Sequence, residues 1–245
     1  MPAAEPRPVL TVADLLTGLL REPGRPRLTW YGADGERVEL SGAVLDNWVS
    51  KSVNLLVQEF DIGPGSTVAL DLPPHWRSVV WALAAWRCGA TVRTGAEEPA
   101  DALVTDRPGP AASRTAPLIV QSLPALARSW PGDLPPGAID AAQAVMTYAD
   151  TIDWVPESDP SAAALDLEDG RLAHGDLVRS AEAAVAVERG ARTLLPTRGR
   201  RTDLAPLLLR ALGVLASDGS LLFVLDGDQD RTDRIARDER VTAVG

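Results

Sequence analysis

A chain of 245 residues, 45% of them hydrophobic, can bury a substantial core without staples, as one large domain or two small ones. Its net charge of -10 argues against nucleic acid and anionic membrane as partners, because binding those polyanions requires a basic surface. Cys88 is the single cysteine, so no internal disulfide can form, and His75 and His174, the two histidines, have no second good ligand at zinc-site spacing; no metal site is expected.

Residues 1–8 are rich in proline and carry neither the apolar run nor the cleavage pattern of a signal peptide. No later window is long and apolar enough to span a bilayer, so the cytoplasm is the expected compartment. Residues 12–20 read as a short helix with Ala13, Leu16, Leu19 and Leu20 on one face. Residues 21–27, with two prolines and a glycine, end it. Strands at 27–31 and 37–40 join across Ala33-Asp34-Gly35, a hairpin signal. Ser41 is placed to cap a helix over 42–59, in which Leu45, Trp48, Val49, Val53 and Leu56 recur at helical spacing.

A turn at 62–66 leads to a strand at 67–71, and Pro73-Pro74 breaks the chain before a helix over 76–88. Trp76, Trp81 and Trp86 on that helix are separated by five-residue steps and cannot form one aromatic face. Trp76, Val79, Val80, Leu83 and Trp86 share a broad apolar stripe, which points to core packing; a base-stacking platform does not suit so acidic a chain. Cys88, with no histidine motif nearby, reads as a buried structural thiol. Gly89 stops the helix, and strands follow at 90–92, 102–105 and 117–121, the last two separated by a Pro/Gly/Ala loop. They lack alternation, as strands covered on both faces do.

Residues 123–160 are rich in Pro, Ala and Asp and predict irregular structure that carries Trp130 and Trp154 over the sheet. Alternation then resumes, with strands at 162–167, 191–195, 220–225 and 241–244 and helices at 175–189, 203–216 and 230–238. The expected fold class is therefore layered α/β, a mainly parallel or mixed sheet with flanking helices. The chain reads as a single domain over 1–245, divisible into subdomains 9–122 and 161–245 joined by the segment 123–160.

Several runs occur in a telling order: Leu28-Thr29-Trp30, Glu39-Leu40-Ser41, Ile62-Gly63-Pro64-Gly65-Ser66-Thr67-Val68-Ala69-Leu70-Asp71-Leu72-Pro73, and Trp81 through the Gly89-Ala90 turn to Val92. Together they resemble the opening of the adenylate-forming enzymes, the AMP-dependent synthetases and ligases that include acyl-CoA synthetases. Ala102-Leu103-Val104-Thr105-Asp106 is similar to the family's next strand, and Leu172-Ala173-His174-Gly175-Asp176-Leu177-Val178 to the segment entering the helix behind its phosphate loop. Arg240 to Gly245 resembles a helix-to-strand step about midway through a full enzyme. The resemblance implies a truncated synthetase-like protein. The adenine, ribose and catalytic-lysine motifs, and the mobile C-terminal domain, are expected to fall beyond this chain.

The family's phosphate loop is a Ser/Thr/Gly-rich stretch ending in Pro-Lys-Gly, whose amides, hydroxyls and lysine meet ATP. At that place this sequence offers Leu165 to Leu172, with Asp166, Glu168, Asp169, one Gly170 and Arg171. Like charges ~4 Å apart repel by roughly 1 kcal/mol in water and about 4 kcal/mol at a surface-like dielectric. Three carboxylates facing a triphosphate therefore oppose its binding unless metal or arginine compensates. The stretch reads as a degenerate phosphate-loop position, either a solvated acidic turn or a Mg-dependent anion site using Asp and Arg.

His174 either touches a ligand or caps and positions the helix that follows. The segment 192–201, with Arg192, Arg198, Arg200 and Arg201 around Pro196 and Gly199, is an anion-binding candidate or a solvated basic loop. Thr197 joins the candidates because the resemblance implies acyl-pocket residues in this region. No residue is assigned as catalytic; Arg171, His174, Thr197 and Arg198 are the candidate ligand contacts. The expected function is a non-catalytic member of this scaffold that binds a protein partner, a second copy of itself or a small acyl-type ligand, with no cofactor. The alternative is an acyl ligase or nucleotide-binding protein with an unconventional site completed by a partner, and only this alternative calls for ATP, AMP and Mg.

Overall fold

The computed structural model describes residues 10–109, 116–167 and 170–245. Helix α1 (Val12–Leu19) starts at a capping box, in which the Thr11 hydroxyl accepts from the Asp14 amide and the Asp14 carboxylate accepts from the Thr11 amide. It buries Val12, Leu15, Leu16 and Leu19. The expected face is therefore corrected: Leu20 lies past the helix end and is 47% exposed. Strands β1 (Pro26–Tyr31) and β2 (Arg37–Ser41) form the expected antiparallel hairpin. Helix α2 (Gly42–Phe60) follows, its first turn capped by the Ser41 hydroxyl accepting from the Val44 amide.

Strand β3 (Thr67–Asp71) ends before the proline pair, and α3 (Trp76–Arg87) begins on His75, whose Nδ1 accepts from the Arg77 amide at 3.2 Å. Every residue of α3 from Trp76 to Trp86 is buried, so all three tryptophans sit in the core. The indole of Trp81 donates to the Gln121 side chain and that of Trp86 to the Ala164 carbonyl, which satisfies both polar edges. Cys88 is fully buried, and burial pushes its thiol up to about 12.

Strands β4 (Thr91–Thr94), β5 (Ala102–Thr105) and β6 (Leu118–Val120) follow, β4 running beyond the expected end at Val92. The segment after β6 is less irregular than its composition suggests. It adds a two-residue strand β7 (Ile139–Asp140) parallel to β6, a short helix α4 (Ala141–Ala144) and a 3-10 turn at Val145–Thr147. Polar side chains of α2 hold its later part: Asn54 donates to the Thr151 carbonyl and accepts from the Asp153 amide. Trp130 packs partly buried against the cluster of Ala69, Leu103, Leu118 and Val120, whereas Trp154 is 65% exposed.

Strands β8 (Ala163–Leu167) and β9 (Gly170–Ala173) make a second hairpin; β9 was not expected. Helix α5 (His174–Val185) ends at Ala186 in the left-handed region, short of the expected 189. Strand β10 (Arg192–Thr197) extends past the expected 195 and through Pro196. That proline is tolerated because its neighbour β12 (Ala243–Val244) pairs only with Thr193 and Leu194, leaving no amide to satisfy on that side at Pro196. Helix α6 (Leu204–Ala216), strand β11 (Ser220–Leu225) and helix α7 (Gln229–Asp238) complete the chain.

The expected layered α/β class is realised as two sheets, each mainly parallel with one antiparallel pair at an edge. One runs β12-β10-β11-β1-β2, the other β7-β6-β5-β3-β4-β8-β9. Each sheet draws strands from both halves of the chain: β1 pairs with β11, Leu28 opposite Leu221, and β4 pairs with β8, Val92 opposite Leu165. Helix α3 touches β1 of one sheet and β3 and β4 of the other. Helices α5 and α6 approach so closely that a Cβ on Gly213 would lie 2.1 Å from the Ala181 carbonyl oxygen, which only glycine permits. Among the described residues, no helix is long and apolar enough to cross a membrane.

Candidate functional site

The sequence places its altered phosphate-loop stretch on the β8–β9 hairpin, the outer edge of the seven-stranded sheet. Asp166 stands opposite Arg171 and Leu167 opposite Gly170. Glu168 and Asp169 themselves lie outside the described residues. Gly170 takes φ of 144°, a conformation that side chains resist. Arg171 Nε pairs with Asp166 Oδ1 at 2.8 Å, and its side chain is 69% exposed.

His174 opens α5, but the helix cap position belongs to Ala173 and no side chain caps it. The imidazole is half-buried against the start of β4, and its Nε2 is enclosed without a full hydrogen bond. Burial lowers its pKa, opposed by the carbonyls of Gly89 and Ala90 and by the Asp159 charge. It lines a cleft of about 450 Å³ with Trp86, Arg87, Val155, Glu157 and Leu177. Arg171 does not line that cleft.

Thr197 and Arg198 do meet. They line a cleft of about 220 Å³ at the carboxyl end of β10, with Pro74, Pro196, Asp203, Leu207 and Arg210. Open α/β sheets place ligands at this end of their parallel strands. Thr197 is buried and donates its hydroxyl to the Val224 carbonyl at 3.0 Å. Arg198 is exposed, and neither it nor Arg210 forms an ion pair among the described residues. The Nε of Arg210 is buried without an acceptor. The cleft thus holds two uncompensated guanidinium groups beside one carboxylate, Asp203.

Of the other arginines of the basic segment, Arg200 is exposed, while Arg192 and Arg201 are committed elsewhere. Arg192 pairs with Glu239 and donates to the Thr29 hydroxyl at 3.0 Å. Against the upward pull of burial, hydrogen bonds from Tyr31, Arg37 and Arg192, with the Arg192 charge, hold the Glu239 carboxyl below its ordinary range. Arg201 turns toward the other sheet, where it bonds the Asp71 carbonyl and carboxylate and reaches Asp106 Oδ1 at 2.5 Å. Asp71 also accepts from the Thr105 hydroxyl at 2.9 Å and from Arg107 at 2.7 Å. This network, at the ends of β3 and β5, fixes the loop that carries Arg198. Sequence reasoning missed Asp71, Asp106, Arg107, Asp203 and Arg210. A usable signal existed for the first two, since a charged residue closing a buried parallel strand sits at the ligand-facing edge. Among the described residues, no group of three or more His, Cys, Asp or Glu side chains is gathered to hold a metal ion.

No family model matches the chain. Among solved structures, an acyl-CoA synthetase of Brucella canis superposes with a TM-score of 0.72 over 96% of this chain and 46% of its own, at 18% identity. A fatty acyl CoA synthetase of Mycobacterium tuberculosis gives 0.69 over 96% and 49%, at 15% identity. An amide bond synthetase of Marinactinospora thermotolerans gives 0.64 over 95% and 48%, at 20% identity. The chain spans about half the length of these structures. Its fold is that of the N-terminal domain of adenylate-forming enzymes, as the resemblance implied.

A protein of Mycobacterium tuberculosis described as a TIGR03089 family protein is 35% identical over 240 residues, which are 94% of this chain and 96% of that relative. This chain belongs to the TIGR03089 family.

Proposed function

We propose that this protein is a non-catalytic member of the adenylate-forming scaffold that binds a small acyl-type carboxylate in the cleft of Thr197, Arg198 and Arg210. The observation that carries this is the β8–β9 hairpin, laddered to Leu167 and Gly170 with Arg171 already paired to Asp166. A triphosphate needs a run of inward-pointing amides and free cations. The sequence there offers the carboxylates of Asp166, Glu168 and Asp169 with one arginine already paired, a donor set that opposes a triphosphate, so this reading gives ATP, AMP and Mg no part in the function. Two free guanidinium groups can meet a carboxylate through charge-assisted, two-point hydrogen bonds. Acyl chemistry is the common thread of two solved neighbours by their names, acyl-CoA and fatty acyl CoA synthetases.

A second reading draws on the same free arginines: a nucleotide-dependent ligase whose site is completed by a partner. ATP-pyrophosphate exchange over a broad acid panel, beside thermal shifts with acids and nucleotides, separates the two. We expect no exchange and no shift with ATP or AMP, and a rise in Tm with at least one short-chain carboxylate that disappears in Arg198→Ala. Exchange that is lost in Arg171→Ala or Arg198→Ala overturns the proposal.

A further inference from the structure

A second opening lies away from this cleft and shares no lining residue with it. It is a groove of about 500 Å³ between α2, the start of α3 and the segment after β6. Its walls are mostly apolar, formed by Trp48, Leu126, Ala127, Ala142 and Met146. Leu126 is 92% exposed and Met146 is 61% exposed, so two large apolar side chains stand in water at one place. Contiguous exposed apolar surface of this kind marks interaction sites, and methionine adapts readily to varied partners.

The charge of the groove is the reverse of the molecule's. The chain carries 34 acidic against 24 basic residues, yet no Asp or Glu lines this groove, while Arg77 and Arg128 do. Arg77 is 4% exposed and lies on the floor. Its guanidinium carbon is 4.2 Å from the ring centre of Trp76 and 5.3 Å from that of Trp48. Its Nη2 reaches the carbonyls of Pro124 and Ala125 only at 3.4 and 3.5 Å, and its Nε is buried without an acceptor. It forms no ion pair among the described residues, and neither does Arg128, which is exposed at the rim. The counter-charge that acts on Arg77 is Glu36, outside ion-pair distance, whose carboxylate accepts from the Ala125 amide at 2.8 Å. A buried cation so weakly compensated is costly, and an incoming carboxylate relieves that cost. Trp and Arg in a desolvated setting are also the residue types that dominate binding interfaces.

We propose that this groove docks a short segment of a partner protein in which apolar side chains flank an aspartate or glutamate. The carboxylate sits between Arg77 and Arg128, and the apolar side chains cover Leu126 and Met146. Leu126 rises out of the groove, so it is buried only by an occupant that spreads beyond the groove itself. A peptide does this and a small acid does not.

The test is fluorescence anisotropy with labelled synthetic decapeptides of alternating Leu and Glu, against sets carrying Gln or Lys in place of Glu, with amide exchange to locate the footprint. The Glu peptide is expected to bind about tenfold more tightly than the Gln peptide, to weaken with salt, and to protect amides near 124–128 and 141–147. Leu126→Asp and Arg128→Glu, both at exposed positions outside the core, are each expected to weaken it about tenfold. Arg77→Gln is expected to weaken it further, and the exposed variants keep the test valid if that protein fails to fold. The proposal is overturned by equal affinity for Glu and Gln peptides, by binding indifferent to Leu126→Asp and Arg128→Glu, or by no binding at millimolar peptide. Protection of the same amides by octanoate as tight as by the peptide also overturns it, by assigning the groove to a small carboxylate.

Discussion

The β8–β9 hairpin and the connection from β10 to α6 both present arginines at the end of a strand, and the two regions neutralise them differently. In the hairpin the partner is local: strand register puts Asp166 opposite Arg171, and the pair forms on an exposed edge. In the β10–α6 connection the partners come from the other sheet, as Asp71 and Asp106 take Arg201 and leave Arg198 and Arg210 unpaired. Local pairing uses up the hairpin's positive charge. Long-range pairing anchors the loop and leaves its remaining charge available. Free positive charge on this scaffold therefore follows the distant carboxylates, not the density of arginine.

The largest effect is expected where the long-range pairing is cut. Asp71 is 8% exposed and accepts from Thr105, Arg107 and Arg201. Asp71→Asn removes one counter-charge and leaves Arg201 paired with Asp106 and bonded to the backbone carbonyl of residue 71. Urea unfolding should show a loss of about 3 kcal/mol, the low end of the range for breaking a buried pair by removing one partner, because Asp106 still pairs with Arg201. A loss under about 0.5 kcal/mol, the level of an exposed pair, erases the distinction between the two regions.

Acid gives the next effect, through the histidine that lies near each region. His75 follows Pro74 at the cleft, and burial, reinforced by the Arg77 charge, lowers its pKa from 6.5 to about 3. His174 follows the hairpin, and burial lowers its pKa as well. Both are bases held neutral by the fold, so below pH 6.5 the unfolded chain takes up protons that the folded chain refuses, and stability falls as pH falls. For His75 the loss continues down to about pH 3, with a slope approaching ~1.4 kcal/mol per pH unit. Unfolding between pH 6.5 and 5, above the ordinary carboxylate range, should steepen accordingly, and His75→Gln should flatten it more than His174→Gln does. An NMR titration in which the His75 ring protonates near 6.5 removes the buried-base account of the cleft side.

The alternation of strands and helices was legible because its punctuation is chemical. Pro73-Pro74 and Gly89 bound α3, and apolar runs such as Val68-Ala69-Leu70 have no other use than a buried strand. Strand β9 was not legible: Gly170-Arg171-Leu172-Ala173 has little strand character of its own and is extended because β8 lies beside it. The division into two sheets was equally hidden, since pairing Leu28 with Leu221 leaves no local mark on either run. In the cleft, Arg198 is singled out in the sequence by a basic cluster following a strand and Thr197 by the family resemblance, and adjacency in sequence keeps the two together. Arg210 is not singled out, because only the course of α6 returns it to the same cleft. Arg171 and His174, three residues apart in sequence, diverge: the first points to its cross-strand carboxylate and the second turns to the backbone of Gly89 and Ala90.

The smallest effect belongs to the hairpin and bounds the comparison from below. Arg171 is 69% exposed, so its attraction to Asp166 is screened by water and salt, and ordering its long side chain offsets part of the gain. A double-mutant cycle of Asp166→Ala and Arg171→Ala should return a coupling of about 0.2–1 kcal/mol that shrinks in salt. The matching cycle of Asp71→Ala and Arg201→Ala should exceed it and resist salt, because both partners there are three-quarters or more buried. Equal couplings imply that the hairpin pair is as organised as the cleft network. Arg171 would then be fixed firmly enough to present its outer guanidinium edge to a ligand, and the hairpin, not the Arg198 cleft, would become the first place to look for one.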